Sequence, residues 1–573
     1  MSQDDTQGET EDRDDVDGEL DVYASAVEGK QYRGTSYMPM PYDDLDEAPD
    51  ASDYPDRGTG GGFKLLDLPR VPKLSHVVGP SAIMLGASVG SGETLFWPVL
   101  VAQEGWALYW AFWIGVLTQF FVNTELQRWT IATGESVFRA FDRVHRAWPL
   151  FFLLAGFVSL GWPGWAAGAA QVGAWAFGFA DWKPLGIGLM VLIWVSYQLS
   201  PVMYNVVEGA QFVLVVVSVL AAVALAFVTG SVDQLTALPA GALSVGTVPP
   251  GTDLTVFLGG LAFAGAGGYL NLSQSLWVRE KGYGMGNYQG RLKNPFIGDD
   301  PEPIRRDGFA FRPTPQNLRR WRGWWRVIQL EHFLTFVVGL LVVATVLMTV
   351  AAAFAAGTTT TGIDMWLTVI VPQLSGAGAV LVPFVLFVAL FTTEYAIVES
   401  FVRNSADIIY ESYGRRAGWE LPSIFLVTLT AFTLWGIAII LLPFEQPFFL
   451  LVVGAAMSGV MMWPYIALTL VINTDRLPRY LQPGWPRVVV MWWATGFFGY
   501  FSTLVVGRTL AREFGVAPFE TSPTLLGSAA GGYALWAVFL VVQGYTVAKT
   551  ARAKARETDV DDADREAARG WLS

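Results

Sequence analysis

Apolar residues recur from residue 79 onward in runs of about twenty, the length that a helix needs to cross a bilayer, and short polar stretches separate these runs. A membrane core contains no water, and helices satisfy their own backbone hydrogen bonds there. We therefore predict an all-α membrane protein of about 12 transmembrane helices, called spans 1 to 12. The predicted spans are 79–103, 106–130, 148–179, 184–200, 206–229, 253–278, 327–356, 376–402, 421–442, 447–472, 487–507 and 526–547.

Basic residues favour alternate connections between these spans. Lys and Arg cluster after spans 2, 6, 8, 10 and 12, whereas the other connections hold only Lys183, Arg508 and Arg512. Because cytoplasmic loops carry an excess of Lys and Arg, we predict that both termini are cytoplasmic in a cell membrane protein. The connection at 279–326 is the longest, and its glycines predict a flexible linker or a loop associated with a gate.

The segment before span 1 is polar and strongly acidic. Residues 1–57 hold eighteen Asp and Glu against four Lys and Arg, so the net charge of −13 belongs to this segment. High charge with low hydrophobicity is typical of disorder. We predict a disordered acidic cytoplasmic tail at 1–72, a transmembrane domain at 73–548 and a cytoplasmic C-terminal tail at 549–573. The acidic tail is either a solvated segment, as in a salt-adapted cytoplasm, or a docking or regulatory arm.

Composition excludes several kinds of chemistry. The chain has no cysteine, and its three histidines, at 76, 145 and 332, lack the spacing of metal ligands. A zinc enzyme or a thiolate enzyme is therefore disfavoured, and we expect no cofactor. The segment GYGMGNYQG has neither the preceding strand nor the GK[ST] of a phosphate-binding loop. We expect the lipid bilayer and a small solute or cation as partners, and no nucleic acid.

Glycines interrupt two spans. The middle of span 1 reads GSGE from Gly90 to Glu93, and the middle of span 6 carries Gly265, Gly267 and Gly268. Glycine is costly inside a helix and permits unwinding. Paired broken helices at matching positions in two halves of a chain are typical of secondary-transporter binding sites. We predict that spans 1 and 6 unwind opposite each other around such a site; close packing of helices on small residues is the alternative.

Carboxylates inside spans are further candidates for function. Glu93 comes first, because a mid-span carboxylate is costly and usually functional. It would coordinate a cation or carry a proton; a salt bridge or a place at a wet cavity mouth is the alternative. Glu394 and Glu399 in span 8 are five residues apart and lie on different helix faces, so each would carry a proton or pair with a neighbouring helix.

Two pairs of polar residues have structural interpretations. Glu125 and Arg128 are three residues apart in span 2 and are predicted to form an ion pair on one helix face. Glu331 and His332 open span 7 and, being adjacent, are predicted to face apart at the membrane interface. The sequence WPGW at 162–165 predicts a kink in span 3, because proline removes a backbone donor.

The stretch from Gly79 to Trp110, GPSAIMLGASVGSGETLFWPVLVAQEGWALYW, resembles the first two spans of the Nramp (natural resistance-associated macrophage protein) family of divalent-metal/proton symporters. That family's first span runs from a Gly-Pro pair, here Gly79-Pro80, to an Asp-Pro-Gly-Asn break, which falls here at the GSGE segment. The end of span 2, IATGESVF, is similar to the family's exit from that span. Span 8 is similar to its counterpart in length and layout.

The resemblance implies an inverted-repeat fold like that of the bacterial leucine transporter. Repeat one would occupy 79–230 and repeat two 253–472, with two peripheral helices within 487–547. It also implies a secondary transporter that moves a divalent cation such as Mg²⁺ or Mn²⁺ by alternating access, coupled to protons or another ion.

The metal-binding positions of the family are changed in this chain. In register with the family, Gly90 stands where a metal-binding Asp would be, and Glu93 where the Asn would be. Ala264 stands in place of a metal-binding Met, and Ala266 in place of a His. The thioether that favours transition metals is therefore missing, and a hard cation such as magnesium suits an oxygen-only site better than iron. A small organic solute in a site enlarged by Gly90 and Ala264, or a non-transporting sensor or scaffold, is the alternative.

The breaks and the resemblance together define the predicted site. Its candidate substrate-binding residues are Glu93, Gly90, Ser91, Ala264, Gly265, Gly267, Asn271 and Gln274. Glu93 is also the candidate metal ligand. The candidates for a proton or coupling ion are Glu93, Glu394 and Glu399.

Overall fold

The computed structural model describes residues 63–72, 79–90, 92–262, 264–265, 267–297, 304–443, 447–514 and 530–556. In this part of the chain the structure is almost entirely helical, and its helices correspond to the twelve predicted spans. Nine helical stretches among these residues are long and apolar enough to cross a membrane, and the first of them covers spans 1 and 2 together. Residues 1–62 of the predicted tail at 1–72, residues 557–573 of the predicted tail at 549–573, the candidate Ser91 and residue Ala266 lie outside the described residues.

Most spans are continuous helices. Spans 2, 4, 5, 9, 10, 11 and 12 are, in order, Tyr109–Thr133, Lys183–Ser196, Met203–Thr229, Leu421–Leu441, Pro447–Asp475, Trp485–Phe514 and Ala530–Ala555. Two longer spans contain a π-helical turn within or after the α-helix. Span 7 consists of Pro315–His332, Phe333–Val338 and Gly339–Phe354, and span 8 consists of Ala377–Ile409, Tyr410–Gly414 and Arg415–Ala417.

Three spans are broken, and their halves are labelled a and b. Span 1 consists of Pro80–Ser88 (1a) and of a π-helical turn, Gly92–Phe96, that leads into Trp97–Glu104 (1b). Span 3 consists of Ala147–Leu160 (3a) and Gly164–Phe177 (3b). Span 6 consists of Leu254–Ala262 (6a) and of a 3₁₀ turn, Gly268–Leu272, that leads into Ser273–Lys281 (6b). The predicted breaks in spans 1 and 6 are therefore present, and the predicted kink in span 3 is a full interruption.

Short helices and one strand pair connect the spans. The short helices are Gly105–Leu108, Val137–Val144, Tyr197–Leu199, Ser231–Ala237, Leu238–Leu243, Gly284–Tyr288, Gly362–Asp364, Met365–Ile370, Val371–Gln373 and Arg479–Leu481. Strand β1, Lys64–Leu65, pairs in parallel with strand β2, Phe309–Ala310.

Four segments meet on one face of the helix bundle, which we call the terminal face. They are residues 63–72, the connection after span 6, the connection after span 10 and the end of span 12. The Tyr480 hydroxyl donates to the Phe311 carbonyl at 2.9 Å, and the Lys554 amine donates to the Pro483 carbonyl at 2.8 Å. The charge pattern of the sequence assigned these segments to one side of the membrane, and their contacts agree with that assignment.

The terminal face corrects two expectations. The connection at 279–326 is not a loose linker where it is described, because Tyr283, Met285 and Tyr288 are buried and β2 binds β1. Residues 63–72 were counted in the disordered tail, yet Phe63 and Leu68 are buried against the bundle. Glycine density and local charge predicted mobility, but apolar side chains between the glycines provide a packed core.

Candidate functional site

Span 8 supports the break in span 1. The helix of span 1a stops at Ser88, which leaves carbonyl groups of its last turn without helical partners. The Thr393 hydroxyl takes up two of them, at 3.1 Å from the Gly86 oxygen and 3.0 Å from the Ala87 oxygen. A side chain on Gly90 would collide with Thr393, so glycine is required by this close approach.

Glu93 lies in the π-helical turn that follows the break. Its side chain is fully buried, and no side chain among the residues that the structure describes pairs with either carboxylate oxygen. The backbone N–H of Glu93 itself and that of Gly265, in the break of span 6, are the polar groups that interact with this carboxylate. π-Helical turns are frequent at functional sites. An unpaired buried carboxylate requires a proton or a cation, so Glu93 is a group able to accept either one.

The break in span 6 depends on two glycines with backbone conformations that other residues rarely adopt. Gly265 has φ of 112° and Gly268 has φ of 73°. The ring of Phe336 occupies the space beside Gly265, and Ser458 of span 10 packs against Gly268. Trp97 of span 1b donates its indole N–H to the Gly260 carbonyl of span 6a at 2.9 Å. The two broken spans are thus in direct contact at their interruptions.

Gln119 of span 2, which was not among the sequence candidates, bridges the two halves of span 6. Its amide nitrogen donates to the carbonyl oxygens of Leu261 and Ala262, at 3.3 and 3.0 Å, where span 6a ends. Its amide oxygen accepts a hydrogen bond from the Asn271 amide at 3.3 Å, where span 6b begins. One buried side chain therefore satisfies both ends of the break.

Asn271 and Gln274 hold neighbouring helices and also retain unused polar atoms. The Asn271 amide nitrogen donates to the Tyr465 hydroxyl at 2.8 Å, and Gln274 accepts from the Gln127 amide at 2.7 Å. The oxygen of Asn271 and the nitrogen of Gln274 are buried and have no partner within the described chain. Both predicted roles, packing helices and offering polar groups, are therefore compatible with their positions.

The small residues at the breaks lie close to neighbouring residues. Gly90 is covered by Thr393, and the Ala264 side chain would lie 3.0 Å from a Cβ placed on Gly115. A side chain on Gly267 would meet the Ala262 carbonyl. The expectation that Gly90 creates space is wrong, because Thr393 of span 8 fills that space. The expectation for Ala264 stays a prediction.

The two carboxylates of span 8 have different surroundings. Glu399 accepts from the Tyr197 hydroxyl at 2.7 Å and forms an ion pair with Arg403. Glu394 accepts from the backbone N–H of Ala166 at 3.0 Å, in the first turn of span 3b, where a helix N-terminus favours negative charge. Its other oxygen is buried with no partner in the described residues. Glu399 thus has the structural pairing that was the alternative, whereas Glu394 keeps one oxygen open.

Glu331 and His332 are both buried within the protein, seventeen and eighteen residues into a helix that begins at Pro315. Their predicted place at the membrane interface stays a prediction. The two residues do not face apart: the Ser81 hydroxyl of span 1a contacts Glu331 and lies 2.8 Å from the His332 Nδ1 atom. The predicted ion pair of Glu125 with Arg128 is present at 2.9 Å.

One sequence signal would have found part of this arrangement. Gln119, Asn123 and Gln127 repeat every four residues and therefore share one face of span 2. Each of them bonds a different partner, and the respective partners are Asn271, His332 and Gln274. The same face thus contacts the broken span 6 and span 7.

Glu93 is not part of a cluster of charged residues that could act as metal ligands. Among the described residues, no group of three or more His, Cys, Asp or Glu side chains could hold a metal ion. A cation bound beside Glu93 would therefore use neutral oxygens of side chains and backbone in addition to this one carboxylate.

Comparison with known proteins identifies the fold. No family model and no curated protein matches the chain. The solved manganese transporter of Eremococcus coleocola is similar over 89% of this chain and 100% of its own, at 12% identity and a TM-score of 0.60. The same transporter in complex with an aromatic bis-isothiourea substituted compound gives 13% identity and a TM-score of 0.61 over the same coverage.

A weaker likeness concerns Mhp1, a nucleobase-cation-symport-1 family transporter, which covers 86% of this chain and 96% of its own at 12% identity. Its TM-score of 0.45 is too low to support an argument. At 12–13% sequence identity, the likeness to the manganese transporter shows the fold of this chain and not its cargo. The expected all-α membrane fold with broken spans 1 and 6 is thereby confirmed.

Proposed function

We propose that this protein is a secondary transporter that moves a small cation across the membrane by alternating access, with Glu93 at its binding site. The observation that carries the proposal is a fully buried carboxylate that no side chain of the described residues pairs with, placed where two broken helices meet. Unwound backbone within a membrane is tolerated where it is buried in protein or lines a cavity, and such breaks form substrate sites in transporters.

The proposed cargo follows from the oxygen atoms that could coordinate it. Glu93 and the unused oxygen of Asn271 are hard ligands, which suit Mg²⁺ or Mn²⁺ better than softer metals. The solved relative in fold is named a manganese transporter, which supports a divalent cation. Symport with protons or with another ion would supply the driving force, and Glu394 is a second candidate for the coupling ion.

The alternatives are less well supported. An organic solute was favoured by the space expected at Gly90 and Ala264, and Thr393 fills the space at Gly90. A non-transporting scaffold would have no reason to keep an unpaired carboxylate buried at a high energetic cost. We propose a cell membrane location with both termini cytoplasmic, and a carrier rather than an enzyme.

Uptake into vesicles tests the proposal. Purified protein is reconstituted, and uptake of Mn²⁺ and Mg²⁺ is measured for the wild type, for Glu93→Gln and for Glu420→Gln, whose exposed carboxylate is a matched control. Glu93→Gln should lose roughly a hundredfold in uptake, because removing one charge-assisted contact and leaving its partner unpaired costs about 2–3 kcal/mol. Glu420→Gln should behave as the wild type.

The result that contradicts the proposal is equally clear. Normal uptake by Glu93→Gln at unchanged melting temperature would remove Glu93 from the site. Absence of flux for both metals in the wild type, with no cation raising its melting temperature, would favour the scaffold.

A further inference from the structure

A second cluster of buried polar groups lies beside span 1a and connects three spans. Asn123 of span 2 lies 3.3 Å from the Nε2 atom of His332. The Nδ1 atom of His332 lies 2.8 Å from the Ser81 hydroxyl oxygen. That hydroxyl in turn donates to Glu331. The four side chains are all at most 2% exposed and form one unbranched series.

The donors and acceptors of this series have one consistent direction. The Asn123 amide nitrogen donates to Nε2 of His332, so the ring carries its hydrogen on Nδ1 and donates it to the Ser81 oxygen. The Ser81 hydroxyl donates to an oxygen of Glu331. With Glu331 ionised and His332 neutral, each of the three hydrogen bonds of the series therefore has one donor and one acceptor.

The same side chains can also form these hydrogen bonds in the opposite direction when the series carries one additional proton. A proton that reaches Nε2 of His332 forms an N–H bond there, and the Nδ1 hydrogen passes to the Ser81 oxygen. The original Ser81 hydrogen passes to Glu331, which becomes a carboxylic acid. The Nε2–H then requires an acceptor, and the buried oxygen of Asn123 has no partner among the described residues and provides one after rotation of the amide. The series therefore has two complete states that differ by one proton.

One end of the series adjoins the break of span 6. The His332 ring is stacked on Phe336 with 4.5 Å between ring centroids, and Phe336 packs against Gly265. Asn123 lies one helical turn from Gln119, which bonds both ends of the break. Gly265 is the residue whose backbone N–H interacts with Glu93.

The other end of the series approaches a partly exposed ion pair. Lys281 of span 6b interacts electrostatically with Glu331 and is paired with Glu208 of span 5. These two side chains are 14% and 18% exposed. Tyr204 of span 5 also interacts with Glu331, while span 1a contributes no charged residue and span 2 contributes the neutral Asn123. Lys281 is the last residue of span 6b, where the chain enters the terminal face.

We propose that Asn123, His332, Ser81 and Glu331 form a proton relay that carries the coupling proton between the cation site and the terminal face. The inference rests on the proposed transport function and adds the route of the coupling ion to it. Glu331 also faces the backbone N–H groups of Gly79 and Ser81 at the start of span 1a. The alternative to the relay is therefore that Glu331 only caps the N-terminus of this helix. The tests below separate proton transfer from helix capping.

The first test needs no cargo. Infrared difference spectra between acidic and alkaline buffer are recorded for the reconstituted wild type, Glu331→Gln and Ser81→Ala. The relay predicts a carboxylic-acid C=O band that is absent in Glu331→Gln and altered in Ser81→Ala. Ser88→Ala is the matched control, because Ser88 is buried in the same helix and, among the described residues, its hydroxyl bonds only the Met84 carbonyl. A Glu331→Gln spectrum that keeps every carboxylic-acid C=O band of the wild type overturns the relay.

The second test measures coupling. Uptake of Mn²⁺ is driven by an inward proton gradient, and binding is followed by the metal-dependent melting temperature. Ser81→Ala should lose roughly tenfold or more of the gradient-driven uptake while metal binding is unchanged, since an interrupted proton transfer typically costs at least that much. A purely structural Ser81 would instead lower binding and melting temperature together, and that outcome overturns the relay.

The two proposals fail in different ways. If the wild type shows no uptake yet the Glu331 band is present, the transport function is wrong and the proton-binding series stands. If uptake is driven by the proton gradient equally in wild type, Ser81→Ala and Glu331→Gln, the transport function stands and the relay is wrong.

Discussion

Among single residues, Gln119 shows how a broken helix is kept stable inside a membrane. Unwinding span 6 releases backbone carbonyls at Leu261 and Ala262, and no water is available in the bilayer to pair with them. The Gln119 amide replaces the lost helical donors and at the same time receives Asn271. A single neutral side chain thereby maintains the geometry in which Gly265 faces Glu93.

We predict that Gln119→Leu lowers stability by about 2–4 kcal/mol, because each buried polar group left unpaired costs about 1–3 kcal/mol. The measurement is the melting temperature of the detergent-purified protein, followed by tryptophan fluorescence. Gln103→Leu, at an exposed position in span 1b, is the matched control and should melt close to the wild type. Equal melting temperatures for the two variants would mean that Gln119 does not hold the break.

At this scale the sequence predicted the burial of Glu93 but not its surroundings. A lone mid-span carboxylate is visible in any sequence, whereas its counterparts come from spans that are distant along the chain. The contacts of Glu331 and His332 were missed because the apolar run of span 7 begins near residue 327, while its helix begins at Pro315 with basic and aromatic residues. Hydropathy marks where a helix becomes apolar, not where it starts.

At the scale of elements, spans 1 and 8 fit together at the break of span 1. Gly90 is covered by Thr393, which also bonds two carbonyls of span 1a. The glycine pattern predicted the break itself, because the backbone cost of glycine can be judged locally. Its partner in span 8 could not be predicted, since that contact depends on how the two repeats pack.

A double-mutant cycle tests this contact. Gly90→Ala should destabilise by about 1–3 kcal/mol, as overpacking of a tight contact does. Thr393→Gly should destabilise as well, because it removes the hydroxyl that bonds span 1a. The double variant should be destabilised by less than the sum of the two single variants, since Thr393→Gly makes room for the alanine methyl. Additive changes in the melting temperature would show that the two positions are not in contact.

Span 11, expected to be peripheral, is tied to span 2 by a buried charge. Arg487 forms an ion pair with Glu125 at 2.6 Å, and Arg128 holds the same carboxylate from one turn away. Asn473 of span 10 also donates to Glu125, at 2.9 Å. The sequence spacing predicted the Arg128 contact, but Arg487 is 362 residues away and gave no such signal.

We predict that Arg487→Met destabilises by about 1–3 kcal/mol, less than the about 3–5 kcal/mol typical of a broken buried pair, because Arg128 still neutralises Glu125. The melting temperatures of the two single variants, Arg487→Met and the control Arg556→Met, are compared with that of the wild type. Arg556 forms an ion pair with Asp475 but is 54% exposed, so its loss should change little. A larger effect at Arg556 would contradict the importance of burial for this network.

For the whole molecule, the terminal face brings together segments that the charge pattern predicted to lie on one side of the membrane. Its segments come from 63–72, from the connections after spans 6 and 10 and from the end of span 12, and they pack on one another. Such contacts are possible only if an even number of crossings separates the segments, which the predicted span count provides. The same contacts order residues that local composition assigned to a disordered tail and a flexible linker.

The remaining question at this scale is which side of the membrane the terminal face occupies, and the lack of native cysteine makes it directly testable. Single variants Ser36→Cys and Thr558→Cys label the two tails, while Ala240→Cys is exposed in the connection between spans 5 and 6. In intact cells, a membrane-impermeant maleimide should modify Ala240→Cys alone, and all three should react after permeabilisation. Because excess Lys and Arg are retained on the cytoplasmic side, the opposite labelling would require the cation route and the proton relay to run in reversed orientation.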